Sequence, residues 1–202
     1  LDTDRRGFAF RKGLPLDMRM GGAEEGMSAA DLLNQQSEEE LGRVFREFGE
    51  EPRGRRLARE VVRRRSRRRL RTSDDLVAAL ARTLGRTPSP REMARVFQGL
   101  RIAVNQELSV LSQGLPLIRE RLNPLGVLAV ISYHSLEDRG VKSCFREWSL
   151  DCVCPPGLPL CVCDKESLGK PVFKKPRRPS KSEVDMNPRA RSARLRAWRK
   201  AE

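Results

Sequence analysis

Apolar residues recur at helical spacing through the middle of the chain, and residues 28–121 therefore read as a block of helices. Ser37 and Glu40 form a capping-box pair ahead of Leu41, Val44, Phe45 and Phe48. A second helix near residues 53–69 places Leu57, Ala58, Val61 and Val62 on one face. Ser73 is the expected cap of a third, with Leu76, Val77, Leu80 and Leu84 turned inward and Gly85 as its stop. Ser89-Pro90-Arg91-Glu92 starts a long helix that carries Met93, Val96, Phe97, Leu100, Val104, Leu108 and Leu111. Gly114 and Pro116 are expected to bend or break it before Leu117, Ile118 and Leu122.

The period then changes. After the turn residues Asn123, Pro124 and Gly126, residues 127–133 are apolar except for Ser132. Such a run predicts a strand buried on both faces, as in a parallel sheet. It gives way at once to His134, Ser135, Glu137, Asp138 and Arg139, where polar groups beyond a strand's carboxyl end are site candidates. Ser135 can cap the following helix, with Asp138 at its third position and Val141, Phe145 and Trp148 on its apolar face. Capping leaves unexplained why the chain's single histidine sits beside two carboxylates. Further on, Val172 and Phe173 suggest an edge strand, and Asn187-Pro188 precedes an expected Arg-rich helix. The class expected is α/β, mostly helical.

Charge changes this picture from fold to partner. The 202 residues carry a net charge of +14, placed unevenly. Residues 52–71 hold eleven arginines against Glu60 alone, and residues 165–202 hold thirteen Lys and Arg against four acids. The remainder is acidic on balance. Solvated helix faces usually mix signs, so a nearly pure arginine surface at Arg63, Arg64, Arg67 and Arg68 points to a phosphate-bearing partner, with RNA the first expectation. In the irregular segment 1–27, Arg6, Phe8 and Phe10 read equally as a loop pinned by its aromatics or as a stacking surface for a base. Gln98, Arg101, Asn105 and Glu107 fall off the apolar stripe of the long helix and face either a cleft or solvent. No run is long and apolar enough for a membrane span, and the chain reads as cytoplasmic.

Cys152-x-Cys154 and Cys161-x-Cys163 suggest a metal clasp, but the one-residue gap is tighter than that of ordinary zinc knuckles. Reduced structural cysteines or a disulfide are the alternatives, and the expectation is that no metal binds. One histidine and such tight pairs exclude an open catalytic zinc site, and with it a zinc-dependent RNA hydrolase.

ISYHSLEDRGVK, at residues 131–142, resembles the ISFHSLEDRIVK signature of the bacterial 16S rRNA cytosine-N4 methyltransferases. RGFAF at 6–10, PLDMRM at 15–20, FQGLRIAVNQEL at 97–108 and NPRARSARLR at 187–196 are similar to other stretches of that family, in the same order. The resemblance implies S-adenosylmethionine as cofactor and small-subunit rRNA, or the ribosomal subunit, as partner. It implies a partial Rossmann-like methyltransferase sheet interrupted by an inserted all-helical domain. On this reading residues 1–27 end the cofactor portion, 28–112 are the RNA-binding insertion and 113–202 complete the methyltransferase domain. It makes His134, Ser135, Glu137 and Asp138 the catalytic candidates, since an amine delocalised into a ring must be aligned and relieved of a proton. Arg6, Phe8, Phe10, Asp17, Arg19, Arg63, Arg64, Arg67, Arg68, Arg101, Asn105, Arg139, Asn187, Arg189 and Arg191 are the substrate-binding candidates. Some members share a CPPGLPVCVC-like stretch. The family's Gly-rich cofactor turn, its acidic ribose-binding residue and its DLGVSS motif do not occur. The chain is therefore expected to be a carboxyl-terminal portion, unable to hold the cofactor or act alone. Leu125 stands where the family has a second glycine, which weakens the turn before the strand. The alternative is a non-catalytic RNA-binding module, which has no need for the 134–138 motif.

Overall fold

A computed structural model of the chain describes Phe8 and residues 11–21, 26–155 and 160–202. The chain divides after Glu107 into two compact units.

The first unit is helical. Helices α1 (Ala29–Gln35), α2 (Glu38–Arg43), α3 (Gly54–Arg65), α4 (Ser73–Leu84) and α5 (Pro90–Asn105) enclose one core. Each start has a local cause. Ser28 and Asp31 cap α1 reciprocally, and Ser37 accepts the Glu40 N–H ahead of α2. The cap of α4 is Thr72, one residue before the expected Ser73, because Asp75 answers the Thr72 N–H. Ser73 is buried instead and donates to the Arg11 carbonyl. Gly85 ends α4 at φ 75°, the left-handed position that glycine occupies without steric cost. Between α2 and α3 the backbone widens into a π-helical turn, Val44–Phe48. That turn packs on α5 through two glycines: a Cβ on Gly99 would lie 2.8 Å from the Gly49 nitrogen. Beside them Glu51, 2% exposed, pairs with Arg95 at 2.7 Å.

The long helix expected from Met93 to Leu111 is two helices. Gln106, at φ 50°, ends α5, and α6 (Glu107–Arg121) begins at the next residue. Conversely, α6 runs through Gly114 and Pro116 without a break. The carbonyl that Pro116 leaves without its helical donor belongs to Ser112, which is exposed and open to water.

The second unit carries a three-stranded sheet of order β1-β3-β2, formed by β1 (Val127–Ser132), β2 (Gly169–Pro171) and β3 (Arg194–Lys200). Both pairings are antiparallel, with Leu128 opposite Trp198 and Lys170 opposite Arg199. The expected parallel pairing is thus not found among the described residues, and β1 is covered on one face only. Leu128 and Ser132 are buried while Val127 and Ile131 are exposed, so the sheet keeps an open apolar face as a one-layer sheet must. The expected Arg-rich helix after Asn187 is a 3₁₀ turn (Pro188–Ser192) followed by β3. Strand alternation wins there because Trp198, fully buried, meets Phe145 and Trp148 of α7 (Ser135–Trp148) on the covered face. Trp148 and Trp198 meet edge-on at 5.1 Å, and Trp198 Nε1 donates to Ser149 Oγ. The expected edge strand at Val172 and Phe173 is displaced two residues back, to β2. Gly169 is obligatory there, since a Cβ would collide with the Arg199 carbonyl and the Trp198 ring. A short α8 (Lys181–Met186) precedes the 3₁₀ turn.

Candidate functional site

In the first unit, Arg63, Arg64, Arg67 and Arg68, at the end of α3 and just beyond it, line one groove of about 320 Å³ with Leu70 and Asp75. The bonds from the Ser66 N–H to the Val62 carbonyl and from the Arg67 N–H to the Arg64 carbonyl turn the chain so that Arg63 and Arg64 of the last helical turn meet Arg67 and Arg68. Glu60 takes Arg63 and Arg64 at 2.8 Å each, and Asp75 takes Arg68 at 2.6 Å. Hydrogen bonds from Arg63 and then Arg64 overcome burial and hold the Glu60 carboxyl below its usual value. Burial raises Asp75, but the Arg71 and Thr72 N–H groups and Arg68 lower it on balance. Two carboxylates thus face four guanidiniums, and the groove stays cationic. Among the described residues Arg67 makes no ion pair. Asp75 and Leu70 carry no phosphate-binding signal in sequence; only the turn after α3 brings them into the groove.

The Leu14-to-Met20 segment is tied to the same unit. Leu16 donates to the Arg71 carbonyl and Ala30 to that of Leu16. Met18 is fully buried at φ 62°, a left-handed backbone that costs an unbranched side chain about 1–3 kcal/mol. Asn105 clamps that residue, donating to the Met18 carbonyl at 2.7 Å and accepting from the Met20 N–H at 2.7 Å. Asp17 and Arg19 form a two-pronged pair at 2.6 and 3.1 Å. Arg101 pairs with Glu107 at 2.8 Å. Phe8 packs against the helical core, in the pinning role, while Arg6 and Phe10 lie outside the described residues. Asn105, expected to face a cleft or solvent, is therefore the residue that holds the Met18 backbone in place.

In the second unit the tip of β1 carries the histidine–carboxylate motif. The cap of α7 is His134, not Ser135, and its reciprocal partner is Glu137, not Asp138. His134 Nδ1 accepts the Glu137 N–H at 3.3 Å, and Glu137 Oε2 accepts the Tyr133 N–H at 2.8 Å and the His134 N–H at 3.3 Å. Oε1 of Glu137 lies 3.4 Å from His134 Nε2. Burial raises the Glu137 carboxyl, but hydrogen bonds from His134 and Tyr133 hold it below its usual value, so it is ionised at neutral pH. Ser135 opens α7, and Arg139 is exposed on it. Asp138 is 5% exposed and joins α7 to β3: Arg196 donates to it at 2.7 and 3.1 Å and Arg194 at 2.9 Å. The sequence alone offers Asp138 only as a helix-start residue and a catalytic candidate; Arg194 and Arg196, alternate residues on β3, are partners it does not reveal, and the Arg-Leu-Arg-Ala-Trp alternation is the available signal. Asn187 Oδ1 caps the 3₁₀ turn by accepting the Arg189 N–H, and Arg189 and Arg191 are exposed on it.

A dinucleotide-type cofactor needs glycines between a strand's end and the next helix. Here β1 passes to α7 through Tyr133 and His134. The described residues therefore do not form such a cradle.

The described residues thus give a basic α/β chain with an arginine groove and a histidine–carboxylate box at a strand tip. Residues 1–201 match the model of the MraW methylase family, and the chain belongs to that family. A Gemmatimonas aurantiaca protein named ribosomal RNA small subunit methyltransferase H is 52% identical over 200 residues, which cover 99% of this chain and 63% of the relative. Proteins of the same name from Symbiobacterium thermophilum and Syntrophotalea carbinolica are 46% and 48% identical, over 97% and 99% of this chain. The chain spans under two thirds of the length of these relatives, 62% to 64%. Among the described residues no helix is long and apolar enough to cross a membrane.

Proposed function

We propose that this chain is the RNA-handling portion of an S-adenosylmethionine-dependent methyltransferase that modifies the N4 amine of a cytidine in small-subunit rRNA. The observation that carries this is the family match over residues 1–201, with relatives named for methylation of that RNA. The cradle for the methyl donor lies outside the described residues, and the 202-residue chain by itself is inactive. Its own residues bind and orient the RNA. The groove of Arg63, Arg64, Arg67 and Arg68 takes the phosphate backbone, where the arginine surplus over Glu60 and Asp75 leaves charge for the anion. Arg189 and Arg191 add exposed charge after α8.

Glu137 is the group we assign to the cytosine amine, once the base is turned out of its stack. The carboxylate is ionised and its side chain is 24% exposed. With Oε2 holding the start of α7, Oε1 is the oxygen that accepts from the amine. With Nδ1 accepting a helix N–H, the neutral His134 ring keeps its proton on Nε2, facing Oε1. His134 therefore orients the carboxylate and is not itself the base in this arrangement. Asp138, with both oxygens on arginines, acts through the position of α7.

The test uses the full-length parent protein, ribosomal small subunits and labelled S-adenosylmethionine, followed by nucleoside mass spectrometry. N4-methylcytidine is expected. In single turnover, Glu137→Gln, which keeps the cap's acceptor, should lower the rate by roughly a hundredfold while the melting temperature holds. RNA binding without methylation in the parent would favour a non-catalytic RNA-binding module.

A further inference from the structure

Among the described residues of the loop between α7 and β2 no apolar side chain is buried: Val153, Leu160 and Val162 are 58%, 77% and 72% exposed. Yet the loop gathers four sulfurs. Sγ of Cys161 lies 3.4 Å from Cys163, 3.6 Å from Cys152 and 3.8 Å from Cys154, and Cys163 lies 3.8 Å from Cys152. All four sulfurs fall within 4.8 Å of one another. These are not disulfide separations, which are about 2.05 Å. They match the edges of a tetrahedron whose centre is about 2.3 Å from each corner, roughly 3.8 Å, the zinc–thiolate geometry.

The surrounding backbone supports the same reading. The Val153 N–H, between the first two cysteines, donates to Cys163, and the Val162 N–H, between the second two, donates to Cys154. Each pair thus supports the last sulfur of the other, the arrangement by which backbone donors orient thiolate ligands. This reciprocity is what lets one-residue gaps work: each pair supplies an edge of the tetrahedron and its middle N–H serves the opposite edge. Four sulfurs this close cannot all ionise without a cation among them.

We propose that Cys152, Cys154, Cys161 and Cys163 form a closed, structural zinc site that fixes this loop. With four protein ligands no position is open for substrate, so the ion has a scaffolding role. Binding displaces the remaining thiol protons to solvent and changes no oxidation state. This proposal departs from the expectation drawn from spacing alone, that no metal binds.

The test is elemental analysis of the 202-residue chain purified under reducing conditions, with cobalt substitution as a second reading. About one zinc per chain is expected, and the cobalt form should show the thiolate charge-transfer absorption of a tetrahedral four-sulfur site. Cys161→Ser/Cys163→Ser should lose the metal while Trp148 and Trp198 fluorescence reports an intact core. Cys144→Ala, which changes the one cysteine outside the cluster, should keep it. If the double variant fails to fold, alkylation of the unaltered chain decides. Zinc should protect four thiols and a chelator should expose them. Metal-free reduced protein that zinc does not protect, iron in place of zinc, or full zinc content in the double variant would overturn the site.

Discussion

Asp138→Asn is the substitution whose outcome the structure changes most. From sequence, Asp138 is a catalytic candidate or a helix-capping partner. In the fold its carboxylate is 8% exposed and receives three hydrogen bonds from Arg194 and Arg196, whose side chains are 36% and 13% exposed. Breaking a buried ion pair costs about 3–5 kcal/mol, and the partial exposure of Arg194 argues for the lower end, about 3 kcal/mol. Urea unfolding followed by tryptophan fluorescence reads this unit specifically, because both tryptophans, Trp148 and Trp198, lie in its core. With a slope of about 1.5 kcal/mol per molar, the midpoint should fall by about 2 M. Burial raises the Asp138 carboxyl and the two arginines lower it further, so its folded value lies below the usual 3.8. Its contribution is therefore complete above that usual value and is lost as pH falls through the lower folded one. The Asn variant should show a flatter acid limb. A midpoint shift under about 0.3 M would refute the idea that Asp138 staples α7 to β3.

Glu51→Ala should cost the helical unit about 3 kcal/mol, measured as loss of helical circular dichroism in urea, because it leaves Arg95 charged and half-enclosed beside the Gly49–Gly99 contact. Glu92 should titrate near 2 by carboxyl NMR, since Arg86, the Ser89 N–H and the Ser89 hydroxyl all stabilise its charge. The α5 cap should thus persist at pH 3.5 and fail only as pH falls towards 2, and Arg86→Ala should move the midpoint back towards 4.5. Leu125→Gly should stabilise the second unit by about 0.5–1 kcal/mol, because relief of a φ 61° leucine outweighs the added freedom of the unfolded chain. An unchanged urea midpoint would show that the turn is not strained.

Local signals carry the helical unit well. Ser89 with Glu92, Gly85 and the inward faces of α3 and α4 are legible because capping and helical period depend on residues within one turn of each other. What escapes depends on distant partners. Gln106 is a poor left-handed residue by type, and its break follows from where α5 ends against the Met18 segment that Asn105 holds. Residues 194–200 read as helix from their arginines, but the strand is decided by pairing with β1 and by a pocket for Trp198. Of the site, the four arginines of the groove are legible, since a single-sign cluster is visible in sequence. The role of His134 as cap, and the Arg194 and Arg196 partners of Asp138, need the third dimension. The gathering of the four cysteine sulfurs is hidden for a related reason: spacing within each pair says nothing about how two pairs interlock.

Salt dependence of binding to small-subunit rRNA tests the RNA-handling assignment most directly, with the unaltered chain compared with Arg63→Ala/Arg64→Ala/Arg67→Ala/Arg68→Ala. Removing one phosphate contact should reduce the slope of log K against log salt by about 0.7–0.9. Four arginines offset by Glu60 and Asp75 leave about two phosphate contacts and predict a slope smaller by roughly 1.4 to 1.8, with affinity falling at low salt and circular dichroism unchanged. Equal slopes and equal affinities for the two folded proteins would contradict a groove that holds the RNA backbone.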